Sequence, residues 1–450
     1  MSDKVFLCGA AKRCITPPAE LFPLPKNAGG SSFGGVLDDL HVRAMAIESA
    51  GVRALFVAFD LGGVPSTNRF LPLLSEHTGI PQQNILYFAV HTHTSPNAGR
   101  PDPDPTRIPS AETKEKHDAY LRLLERQMLA AAEEAVASLQ PARFGIGYGE
   151  SYINVNRNQM YCTRRPDGTE SLECGLGVNP KGPSDKTLFV AKFEDPDGRP
   201  IAYLVNYAVH AVVMHANRCF GDLMAISGDI PGNVCSLLEK NHPGAVAIWS
   251  SGAAGDQNAI MMNQLYLPDP KTGARTVTSI EGGDVNMLRV LVCRHLDDIE
   301  RVIPHIQCKA GVPHLTTTVG IVSVPGRDII PVDPMRPRGE CTYSYENAAP
   351  YEVRMQFLRL GDLAIVALSG ELYTRLGWQM KASSPFSDTV LITHCANCCE
   401  INGRVINNGY IFDDEGIAAG VFGSRRTRMQ PGYIREALVK TMLSLMEQAQ

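Results

Sequence analysis

Apolar runs recur along the chain, and several of them stop in a similar way. Residues 85–90 form a short apolar run bounded by turn formers, which predicts a strand, and it ends in His91-Thr92-His93-Thr94-Ser95-Pro96-Asn97-Ala98-Gly99. Residues 201–209 form a second run, ending at His210, and residues 363–368 a third, leaving through Ser369-Gly370 into Glu371 and a helical pattern up to Met380. Chemistry-bearing side chains are thus expected at strand exits, where open α/β sheets place their active residues.

The pattern between these exits is mixed. Residues 43–48 and 52–60 predict a hairpin across Ser49-Ala50-Gly51, and a helix near 68–77 then leads back to the strand before His91, a βαβ-like unit. Residues 187–194 and 201–209 flank Asp195-Pro196-Asp197-Gly198-Arg199-Pro200, a hairpin signal, as do 353–360 and 363–368 around Gly361-Asp362. Further strands are predicted over 143–149, 245–249 and 389–393. Helical stripes run through Tyr120, Leu121, Leu124, Met128, Ala131, Ala135 and Leu139, through Leu288, Leu291, Val292, His295 and Ile299, and over 433–447. Asp229 is placed as the cap of an amphipathic stretch reaching Glu239. The polar or Gly/Pro-rich stretches 101–108, 159–186, 263–281 and 326–339 read as loops or excursions over the site.

Composition narrows the class. The 450 residues carry 44% hydrophobic side chains, 40 Gly and 31 Pro, which suits one large loop-rich α/β enzyme spanning 1–450. With 42 Lys+Arg against 47 Asp+Glu the formal charge is -5, so the chain has no overall nucleic-acid footprint. The first residues lack the apolar segment of a secretory signal, and no apolar run is long enough to span a bilayer, so a cytoplasmic protein without a membrane span is expected. Twelve scattered cysteines fit reduced thiols. Cys395, Cys398 and Cys399 form a CxxCC cluster that suits redox chemistry or half a zinc knuckle, but no second CxxC exists and ordinary packing accounts for it.

The candidate chemistry centres on the histidines. If extended geometry holds through them, His91 and His93 share one strand face and address one cavity; two half-buried histidines bonded to backbone are the bland alternative. Glu371 reads either as a ligand or as a carboxylate satisfying free amides at a helix start. The loop Gly252-Ala253-Ala254-Gly255-Asp256-Gln257-Asn258 lacks the Gly-Lys-Ser/Thr of a nucleotide P-loop, and Asp256 is either an orienting residue or a turn aspartate.

Taken together, Gly9-Ala10-Ala11-Lys12-Arg13-Cys14-Ile15-Thr16-Pro17, the segment His91 to Gly99, Asn154-Val155-Asn156-Arg157, Asn206-Tyr207-Ala208-Val209-His210, Gly255-Asp256-Gln257-Asn258, and Gly370-Glu371-Leu372-Tyr373-Thr374 through Tyr410 resemble the catalytic domain of neutral/alkaline non-lysosomal ceramidases. The resemblance covers nearly the whole chain and implies a zinc amidase domain. It implies Zn²⁺ held by His91, His210, Glu371 and Tyr410, with His93 and Arg157 meeting the amide or carbonyl of the substrate. Tyr410 and His93 would serve stabilisation of the oxyanion and proton transfer, and Asp256 would orient a ligand or a loop group.

The chain also departs from that family. Cys14 stands where the family has the Asp of Asp-Ile-Thr-Pro, Asn258 corresponds to the serine of Gly-Asp-Val-Ser, and a second substrate-binding tyrosine falls near Phe422. The family's signal segment and C-terminal β-sandwich are not expected here. The expected fold is therefore a mixed α/β (α+β) catalytic domain of hairpins and strands with covering helices, neutral-ceramidase-like. The expected activity is zinc-dependent hydrolysis of a small soluble amide or lactam, with metal-activated water as nucleophile. A cytoplasmic ceramidase cleaving N-acylsphingosine and a non-catalytic metal-stabilised metabolite-binding protein are the alternatives, and homo-oligomer formation is left open. A shared ion requires the rings of His91 and His210 to lie within about 8 Å, because zinc–nitrogen bonds are only about 2.0–2.1 Å long.

Overall fold

A computed structural model describes residues 5–26, 31–99, 108–164, 168–262, 264–268, 275–279, 284–332, 343–396, 399–401, 404–406 and 408–449. The first sheet holds β1 (Leu7–Cys14), β2 (His41–Ser49), β3 (Val52–Phe59) and β4 (Ile85–Ala89), in the order β4-β3-β2-β1 with a short strand at 140–141 on its edge. Between β3 and β4 runs α1 (Thr67–Thr78), which ends at Gly79 in the left-handed region, φ 67°. The long α2 (Ala111–Ala137) starts from Ser110, whose side chain accepts a hydrogen bond from the Thr113 N–H.

The second sheet is built from β5 (Arg143–Glu150), with β6 (Asn154–Arg164) and β7 (Glu170–Asn179) leaving it as a hairpin before β8 (Thr187–Glu194) and β9 (Pro200–Tyr207) return. Then follow α3 (Asp229–Asn241), β10 (Val246–Ser251), β11 (Gln257–Ala259) and α4 (Asp284–Val302). Its order is β10-β9-β8-β5, while β11, β6 and β7 join strands 264–268 and 275–279 in a separate sheet. The third sheet contains β12 (Leu315–Pro331), β13 (Tyr343–Leu360) and β14 (Leu363–Leu368). After β15 (Glu371–Leu372) and α5 (Thr374–Ser383) it gains β16 (Asp388–Ile392); β17 (Tyr410–Ile411) and α6 (Ile434–Gln448) follow.

These three sheets turn one face each toward a common core. Phe56, Leu86 and Phe88 of the first pack with Phe189, Leu204 and Ile248 of the second and Leu358, Ile365 and Ile392 of the third in one buried cluster. The outer faces are covered by helices: Val57 and Tyr87 meet Phe70, Tyr120 and Met128, Val205 and Trp249 meet Val234 and Leu291, and Val366 and Leu391 meet Leu376 and Leu438. Each fully buried large apolar side chain contributes about 1.5–3 kcal/mol. Near-continuous apolar strands are what sheets buried on both faces require.

A strand, helix, parallel strand arrangement occurs in each sheet: β3-α1-β4, β9-α3-β10 and β14-α5-β16. The mixed α/β character expected from the sequence is observed, and among the described residues the sheets are open rather than closed into a barrel. Some local expectations are corrected. Residues 159–164 and 170–179 are strand rather than loop: β6 and β7 pair from Arg164 with Glu170 to Asn156 with Asn179, with a register shift between Leu176 and Asn179, whereas 180–186 form the expected loop and 165–167 lie outside the described residues. Residues 264–268 and 275–279 likewise pair as strands, and residues 326–331 continue β12 instead of leaving it; 101–107 and 333–342 lie outside the described residues. Strands with few apolar side chains carry no strong period-two signal, which is why these pairings escape a hydrophobicity pattern. Helix α3 is capped by Gly228, not Asp229. Asp229 sits at φ 54° and its buried carboxylate accepts from the N–H groups of Met214 and Ile230, each about 3 Å away.

Candidate metal centre

The carboxyl ends of the three parallel pairs meet. From β4 come His91 and His93, from β9 comes His210, from β14 comes Glu371, and the ends of β3 and β10 supply the backbone that holds them. Cross-links between units fix the meeting point: the His93 N–H donates to Ala211 O (3.1 Å), the His210 N–H to Gln257 O (3.0 Å) and the Gly255 N–H to Leu372 O (2.8 Å). Glycine is required at that last approach, since a Cβ on Gly255 would stand 2.7 Å from Glu371 O.

Extended geometry does not hold through the HTH segment. The strand stops at Ala89, and His91 turns through the left-handed region at φ 66°. The two imidazoles converge all the same, through a kinked exit rather than strand alternation: the Nε2 atoms of His91 and His93 are 3.2 Å apart. The rings of His91 and His210 are 5.1 Å apart, inside the limit for sharing an ion.

The hydrogen bonds settle which ring nitrogens face the centre. His91 Nδ1 donates to Gly62 O (2.7 Å), and His210 Nδ1 donates to Ala254 O (2.6 Å). A carbonyl only accepts, so each ring carries its proton on Nδ1 and presents a lone pair at Nε2. Those lone pairs face a carboxylate: Glu371 Oε2 is 3.5 Å from His91 Nε2 and 3.0 Å from His210 Nε2. Three electron-rich atoms facing one another make a candidate cation site. Carbonyls that fix imidazole tautomers are the usual support behind metal-binding histidines.

Burial and neighbouring positive charge disfavour protonation of His210 and His93. Burial, with Arg157 nearby, lowers His210 to about 4. His93 is held well below the ordinary histidine value by burial and by His91, His215 and His210. Burial alone would raise the Glu371 carboxyl, and positive charge and hydrogen bonds from His91 and His210, where those rings are protonated, more than offset it and hold it well below the usual range; neutral rings leave that role to a cation.

Tyr410 enters on β17, which runs parallel to β15 with Tyr410 opposite Glu371. Its ring lies 6.2 Å from His210 and meets Phe422 edge-on at 6.4 Å. Burial pushes the Tyr410 phenol up to about 12, with Arg157 opposing. The buried Arg157 stands over the Tyr410 ring, its Cζ 4.9 Å from the centroid, and donates from Nη2 to Gly255 O (2.6 Å) and from Nη1 to Asn258 Oδ1 (3.4 Å). Its buried Nε has no hydrogen-bond partner among the described residues.

Asp256 lies behind the centre. Its carboxylate accepts from the Thr374 hydroxyl (2.6 Å), the Thr374 N–H (3.0 Å) and the Asn156 amide (2.9 Å), tying the loop after β10 to the start of α5 just beyond Glu371. Cys395 is buried in the central core, whereas Cys398 and the side chain of Cys399 lie outside the described residues.

Two groups of potential ligands come together here: His91, His93 and His210, and His91, Glu371 and His394. His394 was missed by the sequence reading, although it carries the same signal as the others, an apolar strand (β16) running through Thr393 into a histidine. His215 and Lys26 were missed as well. The His215 ring meets His93 edge-on at 5.4 Å, and Lys26 Nζ donates to the His93 carbonyl at 2.5 Å. Burial lowers His215 to about 4 and Lys26 to about 8. Neither residue lies in a motif, so only folding brings them to the site.

No helix among the described residues is long and apolar enough to cross a membrane. The sequence matches no protein-family model and no curated protein. Solved structures do match. The neutral ceramidase from Pseudomonas aeruginosa superposes with a TM-score of 0.69 over 100% of this chain and 74% of its own, at 17% identity. A ceramidase complexed with C2 gives 0.68 over 99% and 76%, also at 17% identity. Matched over its full length, the chain has the neutral ceramidase fold.

Proposed function

We propose that this protein is a zinc-dependent amidohydrolase whose ion sits among His91, His210, Glu371 and Tyr410. The observation that carries the reading is the convergence of two Nε2 lone pairs on the Glu371 carboxylate, with both Nδ1 protons committed to backbone carbonyls. Neutral imidazole, carboxylate and phenol donors suit Zn²⁺. When bound, the ion supplies a Lewis acid and a water nucleophile at neutral pH, so no protein nucleophile is needed and Asn258 in place of serine costs nothing.

The chain's own groups do the rest. His93 Nε2 stands 3.2 Å from His91 Nε2, at the edge of the proposed ion's place, where a proton carried by His93 is available to the leaving amine. The Arg157 Nε–H and the Tyr410 hydroxyl are donors for the carbonyl oxygen as it gains charge, each commonly worth about 2.7–4 kcal/mol. Asp256 positions this machinery through Thr374 and does not touch the reacting atoms.

The fold puts an N-acylsphingosine first among substrates, because both matched structures are ceramidases. A smaller polar amide or lactam is the second reading, favoured by the cationic Lys26 and the Arg157 donor beside the site. A cytoplasmic setting belongs to that second reading. Metal analysis of the purified protein, followed by turnover of a fluorescent short-chain ceramide against a panel of water-soluble N-acyl amides and lactams, tests both. Bound zinc with hydrolysis in either panel supports the amidohydrolase, and the better panel selects the substrate. Bound zinc without any turnover would make the protein a metal-stabilised binder, and a metal-free active enzyme would overturn the reading.

A further inference from the structure

We propose that Lys26 selects amide or lactam substrates that carry a carboxylate on the amine side of the scissile bond, by holding that carboxylate beside His93. This rests on the amidohydrolase reading above and narrows its second substrate class. Lys26 Nζ donates to the His93 carbonyl at 2.5 Å, and its charge bears on the rings of both His93 and His215, which meet edge-on at 5.4 Å. An imidazole is neutral or cationic and a carbonyl carries only a dipole, so none of these neighbours neutralises an ammonium.

That charge is otherwise uncompensated. Lys26 is half-buried, and among the described residues no carboxylate pairs with it to offset the loss of water. Arg43, by contrast, is buried between Asp60 (2.7 Å) and Glu239 (2.8 Å). A charge drawn out of water is costly until it is paired and hydrogen-bonded. The bond to His93 uses one of the three ammonium donors, and the others have no acceptor among the described residues.

The chain fixes Lys26 in place. Its N–H donates to Ser31 O (3.0 Å), and Leu24 and Pro25 pair with Phe33 and Ser32. Helix α2 holds the approach, with Lys116 Nζ donating to Pro23 O (2.9 Å) and His117 Nε2 to Pro25 O (2.8 Å). The ammonium is thereby delivered to the His93 side of the centre. On that side lies the proton for the leaving amine, whereas the donors for the carbonyl oxygen are Arg157 and Tyr410. A carboxylate met at Lys26 therefore belongs to the amine portion, as in an N-acyl amino acid, and gains a charge-assisted hydrogen bond there. An amine portion bearing only hydroxyl groups leaves the ammonium uncompensated.

The test compares N-hexanoylglycine with the neutral N-(hydroxyethyl)hexanamide on the full-length, zinc-loaded protein. Wild type is expected to favour the acid by about tenfold or more in kcat/KM, the least that a hydrogen bond to a charged group supplies. Lys26→Gln should lose that preference and Lys26→Arg should keep part of it. If Lys26 only shapes its loop, Lys26→Gln slows both substrates alike and leaves their ratio unchanged, which overturns the proposal. A wild type indifferent to the carboxylate overturns it too, without recourse to any variant, as does one that prefers N-propylsuccinamate, whose carboxylate lies on the acyl side. Calorimetric binding of the ketone isosteres of acid and alcohol, with a methylene in place of the scissile N–H, reads the same preference without turnover. A carboxylate preference there that vanishes in Lys26→Gln, with no amide hydrolysed, leaves the role of Lys26 standing and removes the amidohydrolase. Hydrolysis with equal binding of the two ketones removes the role of Lys26 and leaves the amidohydrolase.

Discussion

His210 Nε2 stands 3.0 Å from Glu371 Oε2, while the proton of the same ring is given to Ala254 O on the other side. An acceptor thus faces an acceptor 161 positions away in the chain, the arrangement on which the proposed metal site rests.

Removing that ring should empty the centre. For His210→Ala, zinc affinity is expected to fall by more than the roughly 10–100-fold typical of losing a supporting group behind a ligand. Zinc should raise the melting temperature of wild type, by the equivalent of about 2.7 kcal/mol at a hundredfold excess over Kd, and should leave that of His210→Ala unmoved. Calorimetric scans with and without zinc decide this; equal shifts in both proteins would contradict the ligand assignment.

His93 separates binding from chemistry. His93→Ala should keep zinc at close to one equivalent while kcat drops by about 10²–10⁴, the usual loss for a proton-transfer group. Metal content and steady-state kinetics on one preparation give the answer, and normal turnover would show that His93 carries no proton in the reaction.

Gly255 offers a test through the backbone. A methyl group there meets Glu371 O at 2.7 Å and Tyr373 Cδ1 at 2.7 Å, so Gly255→Ala must push β15 away from the centre. Zinc affinity should fall about 10–100-fold, with a stability loss of about 1–3 kcal/mol from overpacking. Chelator titration and urea unfolding measure the two effects, and a Gly255→Ala protein with unchanged zinc affinity would mean that the contact does not position Glu371.

Acid should weaken the fold independently of the metal. His295 is fully buried on α4, its Nδ1 paired with Ser151 Oγ (2.9 Å), and burial lowers it to about 3. The folded-state value lies below the unfolded one, so between about 6.5 and 3 the unfolded chain binds a proton that the native protein refuses. Stability from this group is complete above pH 6.5 and is lost as pH falls, at up to roughly 1.4 kcal/mol per pH unit. Urea midpoints of the zinc-free protein from pH 7 to 4 should follow that slope, and a His295→Gln variant should show a shallower one; identical slopes would remove His295 as the cause.

Much of this was legible in the chain because burial writes itself into sequence. Strands enclosed on both faces must be apolar, so the runs before His91, His210 and Glu371 stand out, and their exits mark the site. What escaped obeys other rules. The turn at His91 is held by bonds to distant backbone, its N–H to Leu61 O and its ring Nδ1 to Gly62 O, which no local pattern reveals. The pairing of β6 with β7 is hidden by polar side chains such as Gln159 and Thr163. Lys26 and His215 reach His93 only through tertiary contacts. His394 was readable in principle, since Thr389 to Thr393 repeats the strand-then-histidine grammar.

The use of one strand exit from each sheet has a consequence for how the protein matures. Positions 91, 210, 371 and 410 belong to segments that meet only in the assembled fold, so on the proposed ligand set no short fragment of the nascent chain would hold the ion. Metallation would then be coupled to completed assembly, and tight zinc uptake would become a readout of whether the entire molecule, rather than any one sheet, has reached its native arrangement.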